Sequence, residues 1–144
     1  MFSKACEYGI RALIFIAMKS NGGERVNISD IATEIDSPSA FTAKILQTLV
    51  KGDIVQSVKG PHGGFQISQK NISEIKLADI VKIIDGDTIY NGCGLGLKEC
   101  NELKPCPLHE KFKRIREDLK TMLETTSLKD LASQLENGIA FLKV

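Results

Sequence analysis

Three of the four cysteines in this 144-residue chain fall within one short stretch: Cys93, Cys100 and Cys106, with His109 just beyond the last. Six residues separate the first pair, five the second, and two separate Cys106 from His109. Thiolate and imidazole are soft donors, suited to zinc or to iron–sulfur clusters. Structural zinc accepts three sulfurs and a histidine, but usually from tight Cys-x2-Cys knuckles. The looser spacing favours an iron–sulfur cluster, whose thiolate ligands can include one nitrogen or oxygen replacement. Gly92, Gly94 and Gly96 would let the segment wrap an inorganic core. His109 reads equally as a fourth ligand or as a charge in the first turn of a helix. Without a cluster, the same thiols could bind zinc, sense oxidation, or lie free. A thiol enzyme using Cys106 and His109 is a further reading, but no orienting third group or oxyanion pocket is evident. Cys6 sits on an apolar helical stripe and reads as a small hydrophobe.

The rest of the chain must position these groups. At 42% hydrophobic and 26% charged residues, it is composed as one globular domain. No apolar run approaches the ~20 residues of a membrane span. The start lacks a basic segment followed by an apolar core, so no signal peptide is read and the cytoplasm is the expected location. The net charge of +1 is no footprint for bulk nucleic-acid binding. Contact with DNA would therefore depend on a local patch, doubled by dimerisation.

Helical spacing of Cys6, Ile10, Leu13, Ile14 and Ala17 predicts a first helix capped by Ser3. Ser29 is the expected cap of a second helix over residues 30–35. Ser37 and Pro38 are the expected cap and first residue of a third, with Phe41, Ile45, Leu46 and Leu49 inward. The period then changes. Residues 54–59 and 65–68 read as a hairpin with a tip of Gly60, Pro61, His62, Gly63 and Gly64. Ser73 is the expected cap of a fourth helix ending at Gly86. Residues 87–106 read as an irregular, functional loop. A long helix follows over residues 107–124. Its Leu108, Phe112, Ile115, Leu119 and Met122 step like a coiled-coil seam. Thr126 or Ser127 would cap a closing helix.

Three helices followed by a hairpin form a winged helix-turn-helix, so the fold expected is mainly α with a two-stranded wing. The divisions are residues 1–86 for this unit, 87–106 for the cysteine loop and 107–144 for the long dimerisation helix and closing helix. The third helix would enter the major groove of double-stranded DNA. Ser39, Thr42, Ala43 and Gln47 would face outward, with Ser37 at its start and Lys44 near the backbone. Lys59, His62 and Gly63 would bring the wing tip to the duplex, glycines allowing close approach. Such three-helix modules also serve protein interfaces.

These residues resemble the IscR/NsrR/CymR family of bacterial winged-helix regulators. The resemblance rests on Ser3-Lys4-Ala5-Cys6-Glu7-Tyr8-Gly9-Ile10-Arg11-Ala12-Leu13. It rests also on the wing Ser57-Val58-Lys59-Gly60-Pro61-His62-Gly63-Gly64-Phe65 and on a three-cysteine loop before a long helix. It implies a homodimer joined through residues 107–124. It implies a transcriptional regulator, taken as a repressor, whose DNA affinity depends on a cluster held by Cys93, Cys100 and Cys106. The fourth ligand would be His109 or the partner's Glu7, and a 2Fe–2S cluster is favoured over 4Fe–4S. The signal would act by biasing the packing of the long helix against the first. Some relatives lack the cysteines and respond to a partner protein. Two departures stand out. The first cysteine gap is one residue longer than is common, and Asp53 stands where the family often has glycine.

Overall fold

The computed structural model describes residues 1–144. α1 (Lys4–Asn21) starts where the Ser3 hydroxyl accepts the Cys6 N–H at 3.0 Å, as its cap position predicts. α2 (Ile28–Ile35) starts earlier than expected, because Asn27 rather than Ser29 caps it, accepting the Asp30 N–H at 2.9 Å. α3 (Ser39–Lys51) follows a tight turn in which Asp36 is left-handed, with φ 51°. Pro38 takes the cap position there without a side-chain bond, and Ser37 instead places its hydroxyl 2.6 Å from that of Thr42. Arg11 closes the turn by donating to the Ile35 carbonyl at 3.0 Å, one of the acceptors a helix end leaves free.

The wing is β1 (Gln56–Val58) antiparallel to β2 (Gly64–Gln66), with Ser57 opposite Phe65. Val26 adds a bridge to Phe65 on the other side, through two backbone bonds of 3.1 and 2.7 Å. The expected alternation over residues 54–59 fails at its start, where Ile54 and Val55 are both buried. The Asn71 amide reaches over this segment and donates to the carbonyls of Asp53 and Ile54 at 2.9 and 3.1 Å. Asp53, where the resemblance implied glycine, has φ 60°, a conformation glycine adopts without strain.

Two short helices replace the single one expected after the wing. α4 (Gln69–Glu74) is capped by Ser68, so Ser73 lies inside it. α5 (Leu77–Asp85) begins where the Asp79 carboxylate accepts the Lys76 N–H at 2.9 Å, and it ends at Gly86. α6 (Thr88–Asn91) is a single turn opening the cysteine segment. α7 (His109–Thr125) is the long helix, and α8 (Leu128–Glu136) is capped by Ser127.

One core spans the chain from Cys6 to Ala132. α1 is its axis, with Cys6, Gly9 and the run from Ala12 to Ala17 all buried. α7 packs on α5, and α8 takes the place against α1 expected of the long helix. The link between α7 and α8 is pinned by Leu77 N–H to Thr126 O and Leu128 N–H to Ile75 O, each 3.0 Å. This pinning directs Leu123 and Leu128 inward. Of the expected seam on α7, Ile115 (58% exposed) and Met122 (45%) stay open, whereas Leu119 packs partly on the core.

The wing glycines serve the hairpin itself. A Cβ on Gly63 would lie 2.1 Å from the Val58 carbonyl oxygen, and Gly63 has no positive φ. Gly63→Ala is therefore expected to lower the stability of the DNA-free chain by about 1–3 kcal/mol in urea titrations. Wild-type stability in that variant would show that the glycine is needed only for approach to a duplex. Burial, with the Asp85 carboxylate adding, pushes the Cys6 thiol up from its usual 9.0 to about 12. A raised value keeps the thiol neutral when folded. Its contribution is then full below about pH 9 and is lost as pH rises toward 12. The stability difference between the wild type and Cys6→Ala should narrow in urea titrations run from pH 8 to pH 10.5.

Candidate metal and nucleic-acid sites

The segment between α6 and α7 is held against the α7 face carrying residues 109, 112, 113 and 116. These positions fall at helical spacing and point the same way. Gly94 lies so close to the Phe112 ring that a Cβ there would sit 2.3 Å from it. Gly94 is thus the point where the segment packs on α7. Lys113 pairs with Glu102 at 3.1 Å. Arg116 donates to the Gly92 carbonyl at 2.6 Å and to Cys100 Sγ at 3.1 Å.

The sulfurs lie in two groups. Leu95 N–H donates to Cys93 Sγ at 3.4 Å. The N–H groups of Leu95 and Leu97 hold the Cys93 thiol below its usual range, with the Cys106 thiol beside it adding to the shift. Cys100 Sγ lies 3.4 Å from His109 Nδ1. His109 is 5% exposed, and its Nε2 is buried without a partner. No three His, Cys, Asp or Glu side chains converge on one point that could hold a single metal ion. Glu7 pairs with Lys4 at 3.1 Å and is not among the contacts of the loop cysteines. His109 faces Cys100 rather than Cys106.

The donor chemistry nonetheless fits a sulfur-ligated cluster. Three thiols, one of them already receiving backbone N–H groups, are accompanied by an imidazole with a free buried nitrogen. Backbone N–H donation to ligand sulfur is a recurring feature of such centres.

On α3, Ser39, Lys44 and Gln47 are exposed and Ala43 is half-buried. Thr42 was expected outward but is 1% exposed, donating to the Pro38 carbonyl at 2.8 Å. The turn from Asp36 to Pro38 rotates the helix so that its first turn buries the hydroxyl. Phe41 was expected in the core yet is 38% exposed, its ring meeting Tyr8 edge-on at 5.7 Å. Ser37 is half-buried in its bond to Thr42. Lys59 and His62 are exposed at the wing tip, with Gly63 beside them. Thr48 and Lys51, not singled out from sequence, extend the exposed face of α3. A wheel drawn from buried Ile45, Leu46 and Leu49 would have found them. Arg25 was also missed. It donates to the His62 carbonyl at 3.3 Å and to Gln66 Oε1 at 3.0 Å, a link made across 37 and 41 residues.

A family model described as Rrf2, iron-dependent transcriptional regulator, matches residues 2–134. An Aquifex aeolicus protein assigned as an HTH-type transcriptional regulator is 32% identical over 91% of this chain and 90% of its own. NsrR of Oceanobacillus iheyensis is 26% identical over 98% and 95%. The solved structure of CymR, the global cysteine regulator of B. subtilis, matches with a TM-score of 0.73 at 25% identity, covering 92% of this chain and 96% of CymR. T. potens IscR matches with the same score at 18% identity, over 97% and 91%, a likeness of fold. The helix-turn-helix, the paired wing and this match across nearly the whole chain place the protein in the Rrf2 family of winged-helix, DNA-binding transcription regulators.

Proposed function

We propose that the chain is a homodimeric, sequence-specific repressor whose affinity for its operator is set by an iron–sulfur cluster held by Cys93, Cys100 and Cys106. The observation that carries this reading is the docking of the cysteine segment on α7, the helix whose open apolar residues Ile115 and Met122 suit a second copy. His109 is favoured as the fourth ligand over the partner's Glu7, because its imidazole already faces Cys100 and keeps a buried nitrogen free. When bound, a cluster of the 2Fe–2S type would supply a redox-active inorganic core sensitive to iron supply, oxidants or nitric oxide.

The chain's own residues do the rest. Ser39, Lys44 and Gln47 on α3 present donors and acceptors to base edges and phosphates, while Lys59 and His62 bring the wing to the adjacent backbone. Dimerisation through residues 107–124 would set two such faces about one helical turn of DNA apart. α7 packs on α5, and α5 packs on both α1 and α3. A shift of the loop would therefore reach α3 through α5. A coupling of ~1–3 kcal/mol suffices to change operator occupancy from severalfold to a hundredfold.

A second reading keeps the DNA binding and replaces the cluster with thiol oxidation. Its support is the lowered Cys93 thiol beside Cys106.

Purification without oxygen, with iron and acid-labile sulfide counts, tests the first reading against the second. Matched iron and sulfide are expected in the wild type and absent in Cys100→Ala, which should keep its helical content but lose the cofactor response. A wild type still colourless after reconstitution would favour thiol sensing. Lys44→Ala should weaken binding across sequences and lower the slope of log affinity against log salt by about one, with stability unchanged. Thr42→Val should instead cost about 1–3 kcal/mol of stability, since it removes the buried hydroxyl that bonds both Pro38 and Ser37. Anisotropy titrations at several salt concentrations, with thermal melts alongside, read both. An unaltered slope for Lys44→Ala would remove that residue from the interface.

A further inference from the structure

We infer that Arg116 is the positioning residue that makes α7 responsive to the cysteine segment, an inference that rests on the cluster reading above. His109 meets the segment at Cys100, Phe112 at Gly94, and Lys113 pairs with Glu102. Arg116 hydrogen-bonds two points eight residues apart, the Gly92 carbonyl next to Cys93 and the sulfur of Cys100. One planar guanidinium thus fixes where the segment leaves α6 and where its middle cysteine sits. The two acceptors lie on different N–H groups, so the bridge depends on the fork and not on charge alone. The Lys113–Glu102 pair is exposed and contributes little by comparison.

The geometry gives Arg116 a role distinct from holding the fold. It stands on the helix with the open apolar residues Ile115 and Met122, so the arrangement at Cys100 and the rotation of that face are mechanically joined. Donation to a ligand sulfur is also a recognised lever on the properties of a sulfur-bound centre. When Cys100 changes its bonding, Arg116 must either follow the sulfur or release it, and either choice moves the tether between α6 and α7.

The experiment uses the full chain with Arg116→Ala, Arg116→Lys and, as a control, Lys113→Ala. In the metal-free protein, amide hydrogen exchange over residues 92–100 should rise severalfold in both Arg116 variants and stay near wild type in Lys113→Ala. Lysine keeps the charge and the stem but cannot span both acceptors, so its failure to rescue is part of the expectation. In the cluster-loaded protein, the ratio of operator affinities with and without the cluster should fall toward one in Arg116→Lys, while the metal-free affinity is kept. A residue that only supports the fold would lower the melting temperature and leave that ratio alone. Unchanged exchange in Arg116→Ala, or a wild-type ratio in Arg116→Lys, would overturn the assignment. Should the wild type take up no cluster, the cluster reading fails by itself, and the exchange measurement still decides whether Arg116 fastens the segment.

Discussion

A Cβ on Gly9 would lie 2.6 Å from the end of Ile84 and 3.1 Å from Ile45. The absence of that atom lets α3 and α5 close on the same flank of α1, and the remaining architecture follows from this closure. α1 is buried nearly all round, against α3 and α5 on that flank and against α2, α8 and the wing elsewhere. A helix so enclosed has little amphipathic character to guide it and is stabilised by tertiary packing rather than by its own propensity. Its neighbours are oriented through it. Arg11 stacks on Tyr8, 4.8 Å from the ring centre, while donating to the end of α2, and Tyr8 meets Phe41 at the start of α3. The recognition helix is thus held at its first turn by aromatic contact and along its length by Ile45, Leu46 and Leu49.

The wing is held by polar groups that would otherwise be left unpaired. β1 and β2 are only three residues each, and an isolated hairpin of that size is marginal in water. The Val26 bridge, the Asn71 amide and Arg25 supply what the ladder lacks. Val26 and Arg25 lie on the link between α1 and α2 and Asn71 lies on α4, so the position of the wing is tied to that link and to α4 together. A rigid wing fits a protein that reads DNA with few net charges, because its contacts must fall in register rather than by general attraction.

Much of this was legible in the sequence. The first helix and its Ser3 cap, the break at residues 36–38, the hairpin and the Ser127 cap all have local signals, and local signals survived. The errors share a cause. Ser29, Ser37 and Ser73 are all plausible caps, and local sequence cannot rank them against Asn27, Pro38 and Ser68. That choice depends on where the Val26–Phe65 bridge and the helix-turn-helix turn deliver the chain. Thr42 looks like a reader of bases by residue type, yet the rotation of α3 is set by that turn, and the hydroxyl is spent on Pro38 and Ser37. The grouping of the cysteine segment was the least legible part. Composition announces soft ligands, but the split into Cys93 with Cys106 and Cys100 with His109 depends on Phe112 and Arg116, placed by a helix that begins after the segment ends.

The return of α8 onto α1 bears on how the protein comes into being. The contacts that enclose the first helix are completed by residues more than a hundred positions later. Long-range closure of this kind slows folding, since the chain must meet the entropy of a large loop before the contact rewards it. On the ribosome, α1, α2, α3 and the wing emerge well before Leu128 and Ala132. Until those last residues arrive, α1 keeps an apolar flank open to solvent or to chaperones. Messages cut short before α8 would therefore yield sticky, degradable fragments rather than a stripped-down regulator with permanent hold on its operator. The fold in this way ties the integrity of the helix-turn-helix unit to the arrival of α8, which follows the cysteine segment and the long helix.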